Sequence, residues 1–239
     1  MFLTRFRVNT ARAGARRLLS SPQRVHAAVM MSFAEPPPRD GSGPRILWRL
    51  DNNAKADLLL YIVSPSRPDL THLVEQAGWP TTPTAGWETY DYGGFLAKLT
   101  EGDTWAFRLT ANPVHNIRLR AGEQTKRTAH ITPRHQARWL LERQLRAGFS
   151  IVEKSMEHRL LPDGDEHEHE HELIVHNQRG LLFGKQEDTG KRSNVSLTTA
   201  TYDGRLRVTD PDALRRTLTA GLGKAKAYGC GLMTLAPVR

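Results

Sequence analysis

The sequence predicts an α+β fold in which one succession of elements occurs twice. Apolar and polar residues alternate in residues 2–8 and 104–110, as they do in half-buried strands. In each half the expected order is strand, helix, strand, strand, helix, strand, with further strands inserted in the second half. Two such split βαβ units predict two tandem ferredoxin-like domains, at residues 1–100 and 101–239.

The first half is expected to contain four strands and three helical segments. The expected strands are residues 2–8, 46–50, 58–63 and 95–99. The expected helices are residues 10–19, 22–33 and 69–77. Pro22 suits a first helical position, and Asp69 and Gly78 suit the two ends of the third helix. Residues 35–44 are proline-rich and predict a loop, and residues 51–53 predict a turn.

The second half is expected to contain two helices among several strands. The expected strands are residues 104–110, 151–161, 172–176, 181–185, 195–202, 206–208 and 227–235. The expected helices are residues 132–145 and 210–220. Thr132 and Pro133 suit the start of the first of these helices, and Gly148 suits its end.

The composition indicates a protein with an anionic partner. The net charge is +9 and the isoelectric point is near 10, which favours a nucleic acid. No apolar run reaches 18 residues, so no membrane span is expected. The arginine-rich start resembles a transit peptide, but its strand-like alternation favours a structural role. The single Cys230 excludes an intramolecular disulfide, and we expect a reducing, cytoplasmic location.

A glycine-rich segment, residues 221–231, follows the last expected helix. It fits neither the Walker A spacing nor the dinucleotide-binding fingerprint. A tight connection between helix and strand explains one glycine as a helix end, but not four. Phosphate binding is therefore the favoured interpretation, because glycine allows close backbone approach and lysine attracts an anion. The residues expected at the phosphate backbone are Gly221, Gly223, Lys224, Lys226, Gly229 and Gly231.

Four stretches together resemble one known family. Residues 203–214 (DGRLRVTDPDAL) and 221–237 (GLGKAKAYGCGLMTLAP) are similar to its carboxyl-terminal signature. Residues 24–33 (RVHAAVMMSF) resemble its histidine-bearing helix, and residues 107–113 (FRLTANP), with the later Lys-Arg pair, resemble its central motif. The family is CasE, the CRISPR repeat-processing endoribonucleases of the type I-E Cascade complex. The resemblance spans nearly the whole chain and also implies two ferredoxin-like domains.

The resemblance implies an activity and its partners. The protein would bind the stem-loop of CRISPR repeat RNA and cleave beside it. The 2′-hydroxyl would attack its own phosphate and leave 2′,3′-cyclic phosphate and 5′-hydroxyl ends. The implied reaction needs no metal and no small-molecule cofactor. The implied partners are the crRNA stem-loop and the other Cascade subunits, with no membrane.

His26 matches the catalytic histidine of that family. An imidazole suits either proton-transfer role, because its ordinary pKa lies near 6.5. The helical pattern alone places His26 beside an apolar stripe formed by Val25 and Val29, where a partly buried structural histidine is the better expectation. The catalytic role of His26 therefore follows from the resemblance.

The surroundings of His26 depart from the family pattern. Some members carry a tyrosine one turn earlier, where this chain has Gln23. Some carry a basic residue shortly after the histidine, where this chain has two methionines. The candidates for holding the scissile phosphate or its developing charge are Arg24, Ser32 and Lys224. Ser32 could instead be a plain residue of a helix end.

Several basic residues are expected to contact RNA. Arg12 and Arg16 are expected to share a face of the first helix. A basic hairpin tip matches the position of the family's stem-gripping hairpin and suggests groove contacts by Lys185, Lys191 and Arg192. A solvated hairpin tip explains each of these residues equally well. Lys126 and Arg127 form a further basic pair.

A tract of alternating histidine and acid, residues 163–172, offers ligands for Zn²⁺ or Ni²⁺. A solvated acidic hairpin tip is the favoured interpretation, since the tract matches no motif of the family. Two alternatives to the endoribonuclease remain open. One is a non-catalytic RNA-binding subunit, and the other is a metallonuclease that uses this tract.

Overall fold

The computed structural model describes residues 1–35, 45–52, 57–79, 86–117, 125–155, 170–186 and 192–238. Its helices and antiparallel sheets confirm the α+β class. The chain forms two compact units. The first comprises Met1–Lys98, Leu218–Gly221 and Ala225–Leu232, and the second comprises Leu99–Thr217, Leu222–Lys224 and Met233–Arg239. Most of the glycine-rich segment thus belongs to the first unit, whereas the sequence suggested the second.

The first unit is a four-stranded antiparallel sheet with helices. Its strands are β1 (Phe2–Val8), β2 (Leu47–Asn52), β3 (Leu58–Ser64) and β4 (Trp87–Asp91), in the order β2-β3-β1-β4. Its helices are α1 (Ala13–Leu19), α2 (Pro22–Met30), α3 (Thr71–Ala77) and α4 (Tyr92–Ala97). The core includes Phe6, Val29, Leu60 and Leu73, which are fully or almost fully buried.

The expected strand at residues 95–99 is wrong, because residues 92–97 form α4. The carboxylate of Asp91 accepts a hydrogen bond from the Gly93 N–H and so caps this helix. Tyr92 and Leu96, one helical turn apart, are both buried on its inner face. The fourth strand is instead β4, which pairs with β1 through Phe2 and Asp91 at one end.

The described part of the second unit contains a five-stranded sheet, a separate hairpin and two α-helices, and the last residues of the later helix belong to the first unit. Its sheet strands are β5 (Thr104–Ala111), β8 (Phe149–Ile151), β9 (Leu173–Gln186), β10 (Arg192–Val208) and β11 (Met233–Pro237). The hairpin is β6 (Val114–Ile117) with β7 (Lys126–Ala129), and the helices are α5 (Pro133–Leu141) and α6 (Pro211–Ala220). The strand order is β11-β5-β10-β8, and β9 pairs with β10. Thr132 accepts from the His135 N–H and caps α5, as the sequence predicts.

Two expected strand breaks in the second unit are wrong. Residues 172–176 and 181–185 are expected to be two strands, because glycine and polar residues lie between them. Both segments instead lie almost entirely in the continuous strand β9, which begins at Leu173. Residues 195–202 and 206–208 likewise lie in β10. Gly204 does not make a turn: its position lets the Glu172 carbonyl approach, since a Cβ there would lie 2.2 Å from that oxygen.

The boundaries of two further expected strands also differ. The last strand begins at Met233 rather than at residue 227, because residues 226–228 form a 3-10 turn. The strand expected at residues 151–161 is short: β8 ends at Ile151, and residues 156–169 lie outside the described part. Among the described residues, no helix is long and apolar enough to cross a membrane.

Candidate active site and nucleic-acid interface

The helix α2 presents three different faces. Ser21 caps its start by accepting from the Gln23 N–H, and Pro22 occupies the first turn. Val25 and Val29 enter the core of the first unit. A second face, which includes Arg24, lines a cleft formed with α1 and α3. By helical geometry the third face carries Gln23 and His26.

The third face of α2 carries two buried polar atoms without partners. The Nδ1 atom of His26 and the Oε1 atom of Gln23 have no hydrogen-bond partner within the described residues. Burial lowers the pKa of His26, so its imidazole is neutral at neutral pH. Buried polar atoms are normally hydrogen-bonded, and these two unpartnered atoms, one helical turn apart, are groups with which a bound ligand could form hydrogen bonds. The sequence predicts His26 as a candidate, whereas Gln23 drew notice only because it replaces the tyrosine that some family members carry one turn before the histidine.

The 3-10 turn Lys226–Tyr228 of the glycine-rich segment contacts α2 within the first unit. Its contact with β2 places it beside Trp48 of that strand, because a Cβ on Gly229 would lie 2.7 Å from the Trp48 ring. The histidine helix and the central part of the glycine-rich segment therefore meet in one compact unit.

The glycines of this segment have structural reasons of their own. All four have positive φ, from 78° at Gly221 to 90° at Gly231, a region that favours glycine. A Cβ on Gly221 would lie 2.9 Å from Leu47, and one on Gly223 would lie 3.0 Å from Trp139. Gly221 follows α6 in the left-handed conformation, as expected of a helix end. The number of glycines thus needs no bound phosphate to explain it.

The two lysines of the segment differ in environment. The Nζ atom of Lys226 donates to the carbonyl oxygen of Ala220 at 2.6 Å and so stabilises the carboxyl end of α6. Lys224 is exposed to solvent. Of the two, Lys224 is the better placed to meet an anion in solution.

The structure places Arg24 and Ser32 away from the His26 face. Arg24 is two residues before His26, on the opposite side of α2, and its guanidinium donates to the Arg17 carbonyl at 3.3 Å. It lines a cleft of about 810 Å³ together with Met31 and His72. The hydroxyl of Ser32 is buried and donates to the Ala28 carbonyl at 3.2 Å, as a residue of a helix end does.

Arg12 and Arg16 are engaged with backbone carbonyls. The helix α1 begins at Ala13, so Arg12 is its capping residue rather than part of its first turn. The Arg12 guanidinium donates to the carbonyls of Val74 at 3.2 Å and Gly78 at 3.1 Å, at the end of α3. Arg16 is exposed and donates to the Ala11 carbonyl.

The remaining basic candidates lie on the two hairpins of the second unit. Lys185 is opposite Ser193, and Arg192 is opposite Gln186, at the far ends of β9 and β10. Lys191 lies outside the described residues. Lys126 and Arg127 begin β7 and are exposed. The continuity of β9 and β10 makes their hairpin longer than the sequence suggested.

The histidine-acid tract is mostly outside the described residues. Its described end includes His171, whose backbone pairs with that of Glu153 in an isolated antiparallel β-bridge. In the described part of the chain, no three histidine, cysteine or acidic side chains are grouped as metal ligands.

Known proteins resemble this chain over most or all of its length. A family model described as CRISPR associated protein matches residues 1–237. The CRISPR-associated endoribonuclease Cse3 of Thermus thermophilus is 28% identical over 240 residues, which cover 99% of this chain and 100% of that protein. The CRISPR system Cascade subunit CasE of Escherichia coli is 27% identical over 202 residues, covering 80% of this chain and 89% of that protein.

A solved structure agrees with these relatives. The structure of Thermus thermophilus Cse3 bound to an RNA representing a pre-cleavage complex superimposes with a TM-score of 0.70 at 27% identity, covering 99% of this chain and 98% of that chain. This structural match and the family model together place the chain in the class of α+β CRISPR-associated proteins. The chain belongs to the CRISPR-associated protein family, and the resemblance to CasE, also called Cse3, is confirmed.

Proposed function

We propose that this protein is a metal-independent endoribonuclease that binds the stem-loop of CRISPR repeat RNA and cleaves beside it. The relatives named as CRISPR endoribonucleases, and the one solved with a pre-cleavage RNA, support this assignment. The observation that carries it is the pair of unpartnered buried atoms, His26 Nδ1 and Gln23 Oε1, on the helix that resembles the family's catalytic helix.

In the proposed reaction the RNA supplies its own nucleophile. The 2′-oxygen loses its proton and attacks the adjacent phosphorus, and the bond from phosphorus to the 5′-oxygen breaks. The products carry a 2′,3′-cyclic phosphate and a 5′-hydroxyl. In one role the neutral imidazole of His26 accepts the proton of the 2′-hydroxyl, and water protonates the departing 5′-oxygen. In the other role the imidazolium donates its proton to the 5′-oxygen, and water accepts the proton of the 2′-hydroxyl. A proton carrier in either role contributes roughly 10²- to 10⁴-fold in rate.

The protein thiol has no part in the proposed reaction. Burial raises the pKa of Cys230 to about 12, so it remains a thiol rather than a reactive thiolate. Lys224, which is exposed and belongs to the second unit, is proposed as a cation for the phosphate backbone of the RNA. The amide of Gln23 supplies a hydrogen bond but carries no proton between the two oxygens.

RNA binding is proposed to extend onto the second unit. A-form RNA has a deep and narrow major groove, which side chains on a thin hairpin can follow along the phosphates. The β9–β10 hairpin, with Lys185 and Arg192 at its far end, has the required length and charge. Lys126 and Arg127 on β7 offer a second basic surface.

We further propose that each unit is a ferredoxin-like domain. Read from β4, the strands of the first sheet lie in the order β4-β1-β3-β2. In chain order these are the fourth, first, third and second strands of the unit. The order β11-β5-β10-β8 has the same succession once β6, β7 and β9 are set aside. The two equal orders support the tandem arrangement.

The protein is proposed to remain with its product as a Cascade subunit in the cytoplasm. The name of the Escherichia coli relative supports the first part, and the single buried thiol of Cys230 is compatible with a reducing compartment.

The ends of the RNA products and the metal requirement test this function. Repeat RNA incubated with the protein in excess chelator should be cut once beside the stem, with a cyclic phosphate and a 5′-hydroxyl. RNA with a single 2′-deoxy substitution at the cleaved position should bind but remain intact. Loss of cleavage in chelator, or cleavage of the deoxy RNA, would contradict the mechanism. Binding of intact RNA without any cleavage would favour the non-catalytic alternative.

A further inference from the structure

The strand β2 contains an ion pair that is almost completely enclosed. Arg49 is 1% exposed, and its Nε and Nη2 atoms donate to the two carboxylate oxygens of Asp51 at 2.6 and 2.8 Å. The two residues are two positions apart on one strand, so both side chains point to the same face. The bidentate geometry fixes the plane and direction of the guanidinium.

The third branch of this guanidinium reaches the glycine-rich segment. The Nη1 atom of Arg49 donates to the carbonyl oxygen of Leu232 at 2.9 Å. Leu232 is completely buried and follows the last glycine of that segment. The ion pair on β2 therefore holds the carboxyl end of the segment at a fixed position in the first unit.

Two other contacts hold the same segment. Lys226 donates to the Ala220 carbonyl at its start, and Gly229 lies against the ring of Trp48, the residue before Arg49. The 3-10 turn Lys226–Tyr228 lies between these contacts and also touches α2. The turn is thus anchored on both sides, and β2 supplies the anchor on its carboxyl side.

A buried ion pair is a poor device for stability alone. Removing two charges from water is unfavourable, and an apolar pair of similar volume often stabilises a protein as well or better. A guanidinium with a fixed direction does provide what an apolar pair cannot, which is a hydrogen bond to one chosen carbonyl. The hydrogen bond from Arg49 to the Leu232 carbonyl is therefore explained better by a role in positioning the glycine-rich segment than by a contribution to stability.

We propose that Arg49, oriented by Asp51, is a positioning residue that holds the turn Lys226–Tyr228 against α2 and so shapes the site around His26. This inference rests on the proposed function. Arg49 is enclosed within the protein and acts through the backbone of the glycine-rich segment rather than on the RNA. On this proposal the turn held against α2 shields the face that carries Gln23 and His26 from water.

A double variant separates positioning from stability. Arg49→Met alone removes the guanidinium from the buried carboxylate of Asp51, and it should lower the melting temperature strongly. Arg49→Met combined with Asp51→Leu removes both charges and should recover most of that temperature, without the hydrogen bond to Leu232. We expect the double variant to bind the stem-loop within about 3-fold of wild type, and to cleave at least about 10-fold more slowly under single-turnover conditions. Wild-type cleavage by a folded double variant would overturn the inference.

Arg49→Lys provides a second variant that keeps the charge. Its ammonium can pair with Asp51 but cannot make the fixed fork and the third bond together. We expect at least about 10-fold slower cleavage with little change in RNA affinity, and unchanged cleavage would overturn the inference even if the double variant did not fold. Arg5→Met, which removes the exposed pair with Glu88 in the same sheet, is the matched control and should cleave as wild type. An equally slow Arg5→Met would also overturn the inference.

A titration without RNA keeps this inference distinct from the proposed function. The pKa of His26, followed by the NMR signal of its ring in the free protein, should rise toward about 6.5 in Arg49→Lys, because water then reaches the imidazole. It should remain at the wild-type value in Arg5→Met. An unchanged pKa in Arg49→Lys would overturn the positional role. Absence of cleavage by wild type would instead contradict the proposed function and leave this titration to decide the positional role.

Discussion

At the scale of single residues, the feature that distinguishes the proposed site on α2 is the burial of its polar atoms rather than a cluster of charged side chains. His26 and Gln23 each keep a polar atom enclosed without a partner among the described residues, and the pKa of His26 is lowered by its burial. Such an arrangement is unfavourable for the free protein, since a buried polar atom loses its bonds to water. It is the state that the proposed function expects of these two residues before RNA binds.

The lowered pKa of His26 predicts a specific dependence of stability on pH. Below pH about 6.5 the unfolded chain binds a proton at this position, whereas the folded protein resists it. The contribution of His26 to stability is therefore full above that pH and declines as pH falls toward the folded pKa. His26→Gln should unfold with a weaker pH dependence between about pH 7 and 5 than wild type, as measured by chemical denaturation. Equal slopes for the two proteins would contradict the burial of His26.

Gly229 predicts the effect of a single added methyl group. Gly229→Ala would place its Cβ 2.7 Å from the Trp48 ring at a backbone φ of +79°, so we expect a decrease of about 1–3 kcal/mol in the free energy of unfolding. Gly180→Ala is the control, because a Cβ there has no neighbour within 4 Å. Denaturant titration of both variants checks this, and a fully stable Gly229→Ala would show that the segment is not packed against β2.

The residue scale also shows what the sequence could predict of the site. His26, the glycine-rich segment and the basic hairpin could all be proposed as candidates from the sequence, because the family resemblance and the composition point to them. The engagement of Lys226 with Ala220 was not, since a side-chain bond to a helix end has no sequence pattern of its own. The same holds for Arg12, whose guanidinium binds two carbonyls at the end of α3, and for the enclosed pair on β2.

At the scale of elements, local signals predicted structure where they agreed with tertiary contacts. The alternation in β1 and the cap of α5 by Thr132 are local, and both elements formed as expected. The strands β9 and β10 contain glycine and polar residues, and the pairing of β9 with residues 192–204 of β10, with a register shift between Thr199 and Thr201, overrides these signals. The helix α4 was missed because two glycines weaken its helical pattern, although Asp91 caps it.

The β9–β10 hairpin predicts a salt-dependent contribution to RNA binding. Replacing Lys185 or Arg192 by alanine should weaken stem-loop binding and reduce the slope of log affinity against log salt by roughly 0.7–0.9 for each phosphate that the variant no longer neutralises. Arg5→Ala, on the first sheet, should leave the slope unchanged. Filter binding or anisotropy at several salt concentrations measures it, and equal slopes in all three variants would remove the hairpin from the proposed interface.

At the scale of the whole molecule, the two units divide the proposed task. The first unit contains α2, most of the glycine-rich segment and the ion pair of β2, and so holds the proposed proton chemistry. The second unit carries the long hairpin and the basic strand β7, and so provides proposed RNA contacts. Removing charge from the second unit should therefore affect binding first, whereas changes around α2 should affect cleavage first.

The most direct test of the central claim is a comparison of cleavage and binding by His26→Ala. The variant should bind the repeat stem-loop with an affinity within about 3-fold of wild type, while its single-turnover cleavage rate should fall by roughly 10²- to 10⁴-fold. His135→Ala, which removes an exposed histidine of the second unit, should change neither quantity. Cleavage by His26→Ala at the rate of wild type would contradict the account.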